Sequence, residues 1–127
     1  MGIRILVVDD SSMMRKLLAK VLKPPGHVIV GEAKNGIEAL ELYKSLQPDL
    51  VTMDITMDEM DGLSAAREIL RYDSAARILF LSNLDEEKYR GDIERIHAIG
   101  FINKHKSEEI LTLIKNLEKT ENPGTDS

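Results

Sequence analysis

Short apolar runs alternate with amphipathic stretches five times along this chain, and that rhythm constrains the fold more than any other feature. Ile3 to Val8 is a continuous run of β-branched and leucine side chains, as expected of a strand buried on both faces. Met14, Leu17, Leu18, Val21 and Leu22 then recur at helical spacing. The breaker cluster Lys23-Pro24-Pro25-Gly26 stops that helix. Val28 to Val30 reads as a second strand. Asn35 can N-cap a second helix, with Glu38 as its reciprocal partner; Ile37, Leu40, Tyr43 and Leu46 form the apolar stripe, and Pro48 ends it. Leu50 to Met53 is a third strand, and Leu63, Ala66 and Leu70 mark a helix after Gly62. Ile78 to Leu81 is a fourth strand, followed by a helix carrying Tyr89, Ile93 and Ile96. Phe101 and Ile102 give a short fifth strand. Ser107 is positioned to cap a last helix whose face is Ile110, Ile114 and Leu117, with Leu113 alongside.

Strict β-α alternation predicts an α/β fold, a five-stranded parallel sheet with helices on both faces and right-handed crossovers. The common strand order for such a flavodoxin-like chain is 2-1-3-4-5. Ligands then bind where the order reverses, beyond the C-terminal ends of strands 1 and 3. At 127 residues there is room for one such domain, expected over residues 1–120. Residues 121–127 contain Asn-Pro-Gly and no apolar anchor, which predicts a disordered tail. A net charge of −5 argues against a broad nucleic-acid surface. The absence of cysteine removes disulfides, thiolate metal sites and thiol nucleophiles. The N-terminal apolar run meets two aspartates at once, so it reads neither as a signal peptide nor as a membrane span; a cytoplasmic protein with no membrane partner is expected.

The residues at the predicted strand ends carry the chemistry. Strand 1 leads into Asp9-Asp10 and strand 3 into Asp54. Neighbouring strands lie about 4.8 Å apart, which brings three carboxylates into one crevice. Such a cluster needs protonation or a bridging cation. Oxygen-only donors with room for water and phosphate favour Mg²⁺, and no histidine or cysteine in these motifs supports zinc. Each residue has a plainer reading taken alone. Asp9, Asp10 or Ser11 could cap a helix, Lys104 could be a snorkelling lysine, Ser82 a satisfied hydroxyl, and Asp58, Glu59 and Asp61 solvated surface. Their coincidence at one edge of the sheet is what those readings leave unexplained. Acids at strands 1 and 3, a hydroxyl at strand 4 and a lysine at strand 5 make the parts of a phosphoryl-transfer site.

The motifs VVDDSSMMR, VTMDITMDEMDG, FLS and GFINK, in that order and at matching spacing, resemble the receiver domain of two-component response regulators, nearest the single-domain chemotaxis type. The resemblance runs to about Lys119. It implies that Asp54 is the phosphoacceptor, supplied by a sensor histidine kinase. Asp10 would ligate Mg²⁺ directly, Asp9 mostly through water, and the Thr56 backbone carbonyl would complete the protein ligands with Asp54. Ser82 and Lys104 would bind phosphoryl oxygens, and Ser82 with Phe101 would form the switch that alters the output surface. The downstream partner would be a target protein such as the flagellar motor or another regulator. Apart from its own phosphorylation and dephosphorylation, no catalysis is expected.

Three positions depart from the family pattern. Asp58 replaces a proline, Asn83 a small residue, and His105 the proline after the strand 5 lysine. A non-proline cis bond costs about 2.5–4 kcal/mol, so a trans Lys104–His105 bond and a different loop path are expected. Rival readings fare less well. A haloacid-dehalogenase-type phosphatase needs an acid where Thr56 stands, and a flavodoxin-type phosphate loop would be repelled by Asp9-Asp10. A pseudo-receiver that is never phosphorylated does not account for the intact acids, Ser82 and Lys104. A receiver cut from a longer regulator, with Asn122-Pro123-Gly124 opening a linker, stays open at this point.

Overall fold

The strands of this computed structural model, which describes residues 2–55, 57, 60–82 and 86–121, form a single parallel sheet in the order β2-β1-β3-β4-β5. The elements run β1 (Arg4–Val8), α1 (Ser12–Leu22), β2 (Val28–Ala33), α2 (Gly36–Leu46), β3 (Leu50–Asp54), α3 (Gly62–Tyr72), β4 (Ile78–Ser82), α4 (Glu86–Ile96), β5 (Gly100–Asn103), a 3₁₀ turn (Lys104–Lys106) and α5 (Glu109–Glu121). Every strand and helix expected from the pattern is present, and the strand order is the one expected. α5 includes Glu121, one residue past the expected domain end; residues 122–127 lie outside the described residues.

Alternation of side chains along each strand supplies two cores. Leu6, Val8, Val51, Met53, Ile78 and Phe80 face α2, α3 and α4, where they meet Ala39, Tyr43, Ala66, Ile69, Ile93 and Ile96. Ile5, Val7, Leu50, Leu79, Leu81 and Ile102 face α1 and α5, packing on Leu18, Leu22, Ile110 and Ile114. Burying each large aliphatic side chain contributes roughly 1.5–3 kcal/mol relative to exposure, so both layers are needed to hold the sheet. Interior strands filled on both sides explain why their sequences read as unbroken apolar runs.

Local chemistry sets the helix starts. Ser11 Oγ accepts the Met14 N–H at 3.2 Å, and Asp61 Oδ1 accepts the Ser64 N–H at 2.8 Å. Asn35 Oδ1 accepts the Glu38 N–H at 2.9 Å, as the sequence suggests. The return bond differs, because Glu38 Oε1 takes the N–H of Lys34 at 2.9 Å, one residue before the cap. Ser107 stands two residues before the start of α5. It closes the 3₁₀ turn, and its carbonyl accepts the Ile110 N–H at 3.1 Å. Two stripe residues, Leu17 and Ile37, are more than 40% exposed, so α1 and α2 are rotated relative to the simplest reading of their patterns. In α2 the small residues Gly36 and Ala39 face inward with Tyr43, and Gly36 N–H reaches Met60 O at 3.0 Å. That close approach turns Ile37 outward. The side chain of Tyr89 lies outside the described residues.

Candidate functional site

Parallel strands deliver their C-terminal ends to one edge, and the residues singled out in the sequence gather there. Val8 pairs with Met53 in register, so Asp9, leaving β1, stands beside Asp54 at the end of β3. Asp9 and Asp54 are buried, at 1% and 2% exposure, while Asp10 is exposed. One carboxylate oxygen from each of the three lies within 4.8 Å of the others. Lys104, at the start of the turn after β5, reaches across: its Nζ is 2.8 Å from Asp9 Oδ2 and 3.4 Å from Asp54 Oδ2. Ser82 is fully buried at the end of β4, and Phe101 is half-buried on β5. Phe101 pairs in register with Phe80, two residues before Ser82 on the same face, so Ser82 and Phe101 are diagonal neighbours. Thr56, Asp58 and Asn83 lie outside the described residues.

Backbone anchors hold these groups. The Asp9 N–H donates to Ala33 O at 3.0 Å, and Asp9 Oδ1 accepts the Ser11 N–H at 2.9 Å. Lys104 Nζ pairs with Asp9 Oδ2 at 2.8 Å, and among the described residues that buried oxygen has no partner besides the lysine. Behind Asp54, Gly62 N–H donates to Ile55 O at 2.8 Å. A Cβ on Gly62 would collide with the Asp54 carbonyl, so only glycine lets α3 start this close to the site. Every peptide bond among the described residues is trans, that of Lys104–His105 included, as the missing proline suggests. The His105 N–H donates to Asn103 Oδ1 at 2.8 Å, a bond that a proline at that position could not make.

The electrostatics follow from burial. Burial pushes the Asp54 carboxyl up from 3.8 to about 6; the charge of Asp9 adds to this, Lys104 opposes it, and Asp10 contributes less. Burial acts to lower the pKa of Lys104, but its contacts with Asp9 and Asp54 outweigh that, and its ammonium is held above the ordinary range. The lysine is therefore a fixed positive charge, and the crevice still carries an excess of negative charge. Three carboxylates that converge, one with a buried oxygen held only by the lysine, fit a hard cation bound through oxygen. An open cavity of about 630 Å³ adjoins the site between α1 and the 3₁₀ turn, lined by residues including Met13, Leu17, Lys104 and His105.

Two supporting residues carry no obvious sequence signal. Asn103 caps the turn that bears Lys104, and a short polar side chain directly before Lys-His-Lys is the only hint. Arg15, one turn into α1, donates from Nη1 to the Asp9 carbonyl at 2.6 Å and pairs through Nε with Glu32 at 2.9 Å. Among the described residues no helix is long and apolar enough to cross a membrane.

Compared with known families, the chain matches the response regulator receiver domain over residues 5–115. The chemotaxis protein CheY of Thermotoga maritima is 47% identical over 104 residues, which cover 82% of this chain and 87% of that protein. CheY of Bacillus subtilis is 45% identical over 104 residues, with the same shares of 82% and 87%. Among solved structures, the CheX-CheY-BeF3-Mg complex from Borrelia burgdorferi matches with a TM-score of 0.84 at 32% identity, covering 90% of this chain and 87% of that one.

Proposed function

The chain belongs to the response regulator receiver family, and from that premise we propose that it accepts a phosphoryl group on Asp54 from a phosphohistidine of a sensor kinase. One observation carries the reading. Asp54 is buried at the ligand-binding edge of the sheet, between Lys104 at 3.4 Å and the carboxylates of Asp9 and Asp10. A carboxylate so placed is a nucleophile surrounded by the groups that phosphoryl transfer needs.

In the proposed step, an oxygen of the ionised Asp54 carboxylate forms a bond to phosphorus. The bond from phosphorus to the donor imidazole nitrogen breaks, and the imidazole leaves with that electron pair. The product is an acyl phosphate on Asp54. Lys104 is placed to move its ammonium from Asp9 toward a phosphoryl oxygen, because it already bridges the two acids. The Ser82 hydroxyl, at the end of the next strand, is assigned to another phosphoryl oxygen. Asp9, Asp10, Asp54 and the backbone carbonyl of Thr56 would hold the cation, assigned as Mg²⁺. Bound there, Mg²⁺ supplies positive charge against the carboxylates and the phosphoryl oxygens. If Ser82 shifts toward the phosphoryl group it vacates space beside Phe101, whose ring can then turn inward and alter the surface around β5.

On this reading residues 1–120 act as one signalling unit that catalyses only its own phosphorylation and dephosphorylation. The names of its relatives support a role in chemotaxis or motility, with a sensor kinase upstream and a target protein downstream. The negative net charge argues against nucleic acid as that target, and a cytoplasmic location suits such a relay. The test is incubation with a small phosphodonor followed by intact mass. The protein should gain one phosphoryl group only with Mg²⁺, hydroxylamine should remove it, and Asp54→Asn should never acquire it. A gain that survives hydroxylamine or persists in Asp54→Asn would refute the assignment.

A further inference from the structure

Arg15 adds a side-chain link between β1 and β2, which already pair through Val7 and Glu32 and through the Asp9 N–H to Ala33 O. Its guanidinium lies between Glu32, on the edge strand β2, and the carbonyl of Asp9, at the mouth of the acidic crevice. An exposed ion pair alone carries little weight. Here the arginine side chain is only 14% exposed, and its shorter bond, 2.6 Å, goes to a backbone oxygen rather than to the glutamate. The two bonds use separate nitrogens of one planar fork, Nη1 and Nε, so holding Glu32 also sets the direction from which Asp9 is gripped.

The Asp9 carbonyl and the Asp10 N–H belong to the same rigid peptide plane. Fixing that oxygen fixes the rotation of the plane, and with it the direction in which the Asp10 side chain leaves the backbone. Asp10 needs such help. It is exposed, and among the described residues nothing donates to its carboxylate, whereas Asp9 is tied at its N–H, its Oδ1 and its carbonyl. We infer that Arg15, held by Glu32, is a positioning residue that aims Asp10 into the cation site through the Asp9–Asp10 peptide. The inference rests on the cation-binding part of the proposed function.

The test is the Mg²⁺ dissociation constant of the full chain, measured by titration calorimetry at 25 °C, with thermal unfolding followed in parallel. Arg15→Lys keeps the charge but cannot grip both partners, and Glu32→Asp keeps the charge but shortens the reach. Loss of an outer-shell partner of a metal ligand typically weakens binding by about 10–100-fold. Arg15→Lys should weaken Mg²⁺ by about tenfold and Glu32→Asp by less, each at a temperature where the protein is fully folded. A residue that only supports the fold would lower the melting temperature and leave the constant alone. Binding within about twofold of wild type in both variants overturns the positioning role while leaving the site itself intact. If Arg15→Lys fails to fold, Glu32→Asp decides. Should the wild type bind no Mg²⁺, or Asp10→Ala bind it as tightly, the proposed cation site falls and this inference with it.

Discussion

On the proposed mechanism Asp54 must be charged to act, yet its surroundings resist that charge. Burial and the neighbouring Asp9 raise its pKa from 3.8 to about 6. The folded protein thus binds this proton more tightly than the unfolded chain. The native state is penalised above pH 6, and this group's effect on stability worsens as pH rises from about 3.8 to about 6. In metal-free protein, Asp54→Asn should therefore be more stable than wild type at pH 8, by roughly 1–3 kcal/mol. The advantage should shrink toward pH 4.5. Urea unfolding at the two pH values with a chelator present checks this, and a difference independent of pH would contradict it. The acids, Ser82 and Lys104 were legible in the sequence because their chemical types are unusual at strand ends. Asn103 and Arg15 were not, because they act on backbone atoms, which leave no mark in the sequence.

At the scale of elements, the connection from β5 to α5 determines where Lys104 points. With a trans bond and no proline, the turn is closed by Asn103 accepting the His105 N–H. Asn103→Ala should lower stability by about 1 kcal/mol, as the loss of a cap usually does. It should also slow phosphorylation by a small phosphodonor, since the lysine then loses its anchor; an unchanged rate would show that the turn holds itself. Helix faces test the packing. Ile114 on α5 is fully buried and Ile37 on α2 is 45% exposed, although both sit on apolar stripes. Ile114→Ala should cost about 2–5 kcal/mol. Ile37→Ala should cost about 0.5 kcal/mol or less. Equal losses in chemical denaturation would contradict the observed rotation of α2. Periodicity identifies a helix, but it leaves the angular centre of the buried face open by tens of degrees. In α2 that centre is set by the close approach of Gly36 to Met60, which no pattern of apolar residues records. Ser107 is a similar case, since its place depends on a turn that only the three-dimensional path reveals.

The whole molecule couples its site to its stability because the crevice exists only when the ends of β1, β3, β4 and β5 meet. The strand order itself was legible, since β-α alternation leaves few ways to build a parallel sheet with right-handed crossovers. A cation that binds the folded state alone stabilises it by mass action, about 2.7 kcal/mol at a hundred times its dissociation constant. Saturating Mg²⁺ should raise the melting temperature of the wild type, and Asp10→Ala should abolish the rise; equal shifts in both proteins would count against the acidic cluster as the site. The claim on which everything else depends is that Asp54 itself receives the phosphoryl group. Reductive trapping with borohydride, after incubation with a phosphodonor and Mg²⁺, converts an aspartyl phosphate to homoserine and marks the modified residue permanently. Tandem mass spectrometry should find homoserine at position 54 and at no other aspartate. Homoserine at position 9 or 10, or a stable phosphoserine at Ser11, Ser12 or Ser82 with Asp54 unchanged, would contradict the account.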